Sequence, residues 1–231
     1  MWRAIHLLKQ LKSPVNAEIY FIAVALVATC GSAYATGADV NIVGSVAKLH
    51  GRVELKRNGQ KTTPTISSKV LLGDVFTTQR SASMVITLQG GSELDLGESS
   101  SIRINRDLLN SSTGARLTLI RLLAGKLHSL VPSLSRGGDF SVLTGNAISG
   151  VRGTDFEVSY IEGKPCPGFP DCLRYTDVGV RKGTVEVKSV TNPHAPAVMV
   201  RGGYETTVPC EEPPSSPSPL GATELESPGY H

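Results

Sequence analysis

The stretch from Ala147 to Tyr160 constrains the fold more than any other. Thr154, Phe156, Val158 and Tyr160 alternate with Asp155, Glu157 and Ser159. A period of two over seven residues is a half-buried strand, with the first set on the core face. The strand is entered through Gly150-Val151-Arg152-Gly153. Glycine is the default residue where a chain turns sharply or approaches another backbone closely. Arg152 sits between the two glycines, where its head can reach a carboxylate or strand carbonyls.

The same grammar recurs along the chain. Val53 and Leu55 alternate with Glu54, and Asn58-Gly59 follows, the strongest two-residue hairpin signal. Pro64 places the returning segment on an edge, because proline cannot donate to a central ladder. Gly73-Asp74 precedes Val75–Thr78, and Gly90-Gly91 joins Met84–Leu88 to Glu93–Leu96. Turn signals about every 8–12 residues mark an all-β sandwich, barrel or coil. Low aromatic content (5%) with 24 glycines and 14 prolines fits many short strands better than a helical bundle. Gly51, Gly125 and Gly183 each stand before a strand pattern, a loose recurrence that suits a rolled or coiled architecture. Residues 117–134 dissent. Leu119, Ile120, Leu123, Leu127, Leu130, Val131 and Leu134 fall at helical spacing. Gly125 interrupts that run and Pro132 stops it, and the flanking β pattern favours strands.

Val151-Arg152-Gly153-Thr154-Asp155-Phe156 resembles the signature of FecR-type domains, extracytoplasmic sensing modules of cell-envelope signalling proteins. Val43 to Val46 with Gly51 to Leu55 resembles the opening hairpin of that family, and Leu72-Gly73-Asp74-Val75-Phe76-Thr77-Thr78 its Gly-Asp turn. Gly90 to Leu96 and Arg121 to Leu127 resemble its later strand pairs, and Val180 to Val187 the closing one. The resemblance spans about residues 43–190. It implies an all-β domain, rolled or coiled like a β-sandwich or β-helix, over residues 36–208. It also makes 117–134 two strands meeting at Ala124-Gly125-Lys126.

The two ends read differently. Arg3, Lys9 and Lys12 precede the uncharged run Ile19–Thr29, and Ala33-Tyr34-Ala35 supplies a small-x-small site. Residues 1–35 are therefore expected to be a signal peptide, placing the protein in the periplasm or cell envelope. The alternative is one retained membrane span, since the uncharged run extends to Ala38. Residues 209–231 are rich in proline and serine, with glutamates and no basic residue, the composition of a disordered tail. Cys166 and Cys172 bracket a proline- and glycine-rich loop, and a short disulfide between them suits an oxidising compartment. A metal is the alternative there, but no second cysteine pair or nearby histidine completes a four-ligand set. Cys210 is then left over, free, bonded to another chain, or competing for one of the loop pair.

The chemistry search yields no catalytic, cofactor or metal site. The five histidines show no metal-ligand spacing, and His128 reads as an ordinary core-edge residue. No nucleophile elbow or phosphate loop occurs. Asp74, Asp95 and Asp155 form no set, and Asp74 and Asp155 beside turns suit hydrogen bonding to the backbone. The net charge of +3 falls to +1 without residues 1–35, which gives no case for nucleic acid. The expectation is a non-enzymatic envelope module that recognises a protein or envelope component through loops and strand edges. Alternatives are an envelope scaffold, or a membrane-anchored sigma-factor regulator without the cytoplasmic anti-sigma domain, since only residues 1–18 precede the apolar run. Intact-mass measurement of envelope-fraction protein should give a chain beginning at Thr36. A mass still containing residues 1–35 would instead establish the retained span.

Overall fold

The computed structural model describes residues 42–221, so the expected signal peptide and the last ten residues lie outside it. No helix occurs among the described residues, and hence none long and apolar enough to cross a membrane. In chain order the strands are β1 (Ile42–His50), β2 (Val53–Arg57), β3 (Gln60–Thr62), β4 (Lys69–Leu71), β5 (Val75–Thr78) and β6 (Ser83–Leu88). There follow β7 (Glu93–Leu96), β8 (Ser101–Leu109), β9 (Arg116–Val131), β10 (Asp139–Leu143), β11 (Ala147–Val151) and β12 (Thr154–Glu162). The last are β13 (Arg174–Lys182), β14 (Thr184–Ser189), β15 (Val198–Arg201), β16 (Tyr204–Val208) and β17 (Ser218–Pro219).

The strands form two sheets that share one member. The first runs β4-β1-β6-β7-β9-β12-β13-β16-β17, all antiparallel. The second runs β3-β2-β5-β8-β9-β10-β11-β14-β15, antiparallel except for β9 and β10. β9 is central in both. Its first half pairs with β8 and β10, its second half with β7 and β12. Everything before β9 lies to one side of it in each sheet, and everything after lies to the other. The fold is therefore all-β and rolled, with the chain passing repeatedly between two layers.

The passage inside β9 is made at Gly125. Its φ is +79°, a conformation strained for any residue with a Cβ. A Cβ there would also strike the Ser100 hydroxyl, lie 2.6 Å from Ser100 Cα and 2.7 Å from Ser99 O. Ser100 holds the corner: its hydroxyl accepts from Lys126 N at 2.8 Å and donates to Glu98 O, and its N–H donates to Thr78 Oγ1. The inward-facing residues of β9 are Thr118, Ile120 and Leu122 before the corner, then Leu127, Ser129 and Val131 after it. The alternation changes phase at Gly125. Residues 117–134 thus contain one continuous strand where the family resemblance implies two, and the helical spacing of the leucines mixes inward and outward positions.

One hydrophobic core lies between the layers. Phe140 from the second sheet meets Phe156 from the first edge to face, with ring centroids 6.3 Å apart. Phe156 and Val158 are fully buried, with Thr154 and Tyr160 nearly so, as the alternation predicts. Glu157 is also buried and pairs with Lys126 at 2.8 Å, because β9 and β13 flank β12 on both sides. Asp74 accepts from both Arg57 Nε and Nη2 and from Leu71 N. Burial of that carboxylate is tolerable only because each oxygen is bonded. The hairpin between β2 and β3 turns at Asn58-Gly59, both at positive φ, with β3 on an edge.

The C-terminal segment corrects one expectation. Residues 209–221 are laid back along the first sheet where composition suggests a disordered tail. Ser215 bonds to Thr206 and Thr207, Leu220 N donates to Gly203 O, and Pro214 is buried. Ser215 supplies the side-chain hydrogen bonds, and Pro219 sits in an edge strand that needs no further donor.

Gly125→Val should destabilise the fold by more than the roughly 1–2 kcal/mol of the left-handed backbone alone. Phe156→Ala should cost about 3–5 kcal/mol. Denaturant midpoints test both. Unchanged midpoints would remove the corner and the cross-sheet aromatic contact from the account of stability.

Candidate functional site

The glycine-bracketed segment forms the corner where β11 of the second sheet passes into β12 of the first. Gly153 has φ +127°, and a Cβ on it would lie 2.9 Å from Ser133 Cα. Thr154 Oγ1 donates to Thr184 O at 3.2 Å, tying this corner to the next one at Gly183. A Cβ on Gly183 would in turn lie 2.9 Å from Gly153 O. Leu134 N donates to Arg152 O from the other side. Two neighbouring backbones thus fix the corner.

Arg152 projects from this corner into solvent, and its guanidinium has no hydrogen bond or ion pair among the described residues. The sequence placed its head within reach of a carboxylate or strand carbonyls, and among the described residues it bonds to neither. Beside it runs a groove of about 410 Å³ with Asp139, Thr184, Glu186 and Met199 in its walls. Asp139 accepts from Ser141 Oγ, and Glu186 pairs with Lys188. Met199 is 56% exposed on β15, which pairs with β14 alone and leaves its other edge open among the described residues. The groove offers a planar charged donor, an apolar side chain and an unpaired strand edge. No group of three or more histidine, cysteine or acidic residues placed to hold a metal occurs among the described residues.

The other residues singled out from the sequence are scattered. Phe156 lies in the core and Asp155 on the outer face of β12, bonded to His128 at 2.7 Å. Val151 is buried beneath the corner. Asp74 and Asp95 stand apart from Arg152, the first on β5's approach and the second on β7.

The cysteine pairing differs from the expectation. Cys172 is bonded to Cys210, and Cys166 is a free, buried thiol. The loop that was expected to need a disulfide between Cys166 and Cys172 is closed by backbone bonds, Cys166 N to Cys172 O and Cys172 N to Phe169 O. The register of β13 with β16 sets Thr176 opposite Val208, which brings Cys210 alongside the segment leading into β13. Burial pushes the Cys166 thiol up, and the charge of Asp177 adds to it, so the thiolate that would react is disfavoured. Sequence reading missed Asn146, fully buried, whose amide donates to Val208 O and Pro209 O while its carbonyl accepts from Thr176. This residue anchors the chain just before Cys210. Its one signal is an asparagine beside Gly145 in a turn, which reads as ordinary turn chemistry.

Comparison with known proteins bears on this geometry. Residues 74–186, which include the corner, match the family model described as FecR protein. Two crystal structures of a candidate anti-sigma factor from Parabacteroides distasonis ATCC 8503 share the fold with a TM-score of 0.51 and 18% identity. The match covers 65% of this chain and 62% of those chains, so this chain spans under two thirds of their length. No curated protein matches the chain.

Non-reducing peptide mapping should recover Cys172 linked to Cys210 and Cys166 as a thiol. Closing 38 residues implies a stabilisation of roughly 3–4 kcal/mol, lost in Cys172→Ser. Recovery of a Cys166–Cys172 peptide would overturn the pairing.

Proposed function

We propose, from the FecR domain that residues 74–186 form, that this chain is a non-enzymatic signalling module of the cell envelope that recognises a protein partner at the Arg152 corner. One observation carries the reading: the Arg152 guanidinium has no partner among the described residues and sits on a corner immobilised from both sides. A fixed planar donor fork suits a carboxylate, which it can hold bidentately. The groove crosses the strands and ends at Met199 on β15, whose open edge suits an extended segment adding as a strand. Met199 supplies apolar contact between the two.

The scaffold alternative loses one support. Attachment through Cys210 required a free thiol, and Cys210 is bonded to Cys172. Likeness in fold to a candidate anti-sigma factor agrees with a regulatory role, and an export signal in residues 1–35, or a single span over 19–38, would place the module outside the cytoplasm.

The test is capture from envelope extract with the full chain, photocrosslinked from position 199. Wild type should trap a discrete partner. Arg152→Gln should weaken capture about tenfold or more, the effect of losing a charge-assisted hydrogen bond of about 1.5–3 kcal/mol, with an unchanged denaturant midpoint. Equal capture by both proteins, or a general assembly defect without a discrete partner, would favour the scaffold.

A further inference from the structure

The two outer faces differ in charge. The middle of the first sheet turns Glu93, Asp95, Asp155 and Glu157 outward, with Lys126 and His128 among them. Across the second sheet the pattern reverses. Lys56, Val75, Arg103 and Arg121 are successive register partners on β2, β5, β8 and β9. This row is about 14 Å long at the usual strand spacing. Arg106 lies on the same face, opposite Leu119. None of Lys56, Arg103, Arg106 and Arg121 has a hydrogen bond or ion pair among the described residues, and all four are exposed. The neighbouring acids are engaged elsewhere, Glu54 with Lys61, Glu186 with Lys188, Asp139 with the Ser141 hydroxyl, and Glu162, on the Arg121 side, with the Tyr160 hydroxyl. Arg103 and Arg121 stand directly opposite each other, an arrangement that opposes strand pairing. A bound anion would relieve it.

The hairpin that carries these arginines ends in exposed leucines. Leu108 is 54% exposed, Leu109 57% and Leu117 40%, and they wall a shallow hollow of about 590 Å³ with Arg136 on its rim. Apolar surface next to uncompensated cations is the combination that binds an anionic bilayer. The apolar part enters the interface and the cations meet the headgroups. We propose that the tip of the β8–β9 hairpin docks this protein onto an anionic lipid surface. Leu108, Leu109 and Leu117 enter the interface, and Arg103, Arg106 and Arg121 lie against lipid phosphates. The acidic face of the first sheet is then held away from the membrane.

The full chain is tested by co-sedimentation with vesicles of phosphatidylcholine alone and of phosphatidylcholine with phosphatidylglycerol. Any binding by the apolar run at residues 19–38 is common to all variants, so the contrasts between them isolate the hairpin. Binding to the anionic vesicles should exceed binding to the neutral ones. Arg103→Gln with Arg121→Gln should weaken it about twenty-five-fold, taking about fivefold per charge. Leu108→Ser with Leu109→Ser should also weaken it, while Lys164→Gln, on the β12–β13 loop, should not. Arg103→Thr removes the facing charge, so its melting temperature should not fall although its binding does. Undiminished binding in either double variant would overturn the proposal. So would arginine-dependent binding of inorganic pyrophosphate with the leucine variant silent, which would make this a site for soluble anions.

Discussion

Two sheets that share a strand can stay in register only if that strand changes layer without losing its hydrogen bonds. In this protein the change happens at one residue, Gly125. The Ser100 hydroxyl occupies the space a side chain would need and takes the N–H of Lys126. Ser100 is in turn held by Thr78, whose hydroxyl donates to Gly97 O. A serine, a threonine and a glycine from three separate segments thus fix the angle between the layers. The aromatic contact of Phe140 with Phe156, and the burial of Ile120 and Leu127 on the two halves of β9, follow from that angle.

The corner at Gly153 applies the same device to a different end. Its backbone is held by Leu134 on one side and by the Gly183 corner on the other, while the Arg152 side chain points away from both. The residue before the glycine is therefore free to be charged and exposed. The motif differs between adjacent positions: Gly153 and Thr154 satisfy the fold, and Arg152 is exposed with no partner among the described residues.

Period-two alternation made β12 legible, and Asn58-Gly59 made the β2–β3 hairpin legible, because both signals are local. β9 was hard to read because its alternation is even-numbered as far as Leu122 and odd-numbered from Leu127. Summed over the whole run, that phase change imitates a helical period. The disulfide was illegible for another reason. Which cysteine reaches Cys172 depends on the pairing of β13 with β16, and nothing near Cys166 or Cys172 encodes that register. The ordered return of residues 209–221 also depends on tertiary partners, since Ser215 bonds to Thr206 and Thr207. The Arg57–Asp74 pair, 17 residues apart, was equally hidden, and the hydrogen bond to Asp74 raises the affinity of Arg57 for its proton.

The central place of β9 has a consequence for the order in which the domain can be assembled. A chain made from its N-terminus completes residues 42–109 before the strand that joins them exists. In that interval β7 and β8 each present an open edge awaiting the second and first halves of β9. Open edges accept any matching strand, and the β9 of a neighbouring copy matches as well as the chain's own. At high concentration the natural misassembly of this architecture is therefore exchange of everything from β9 onward between two copies. The loop at residues 110–115, which joins β8 to β9, would be the hinge of that exchange.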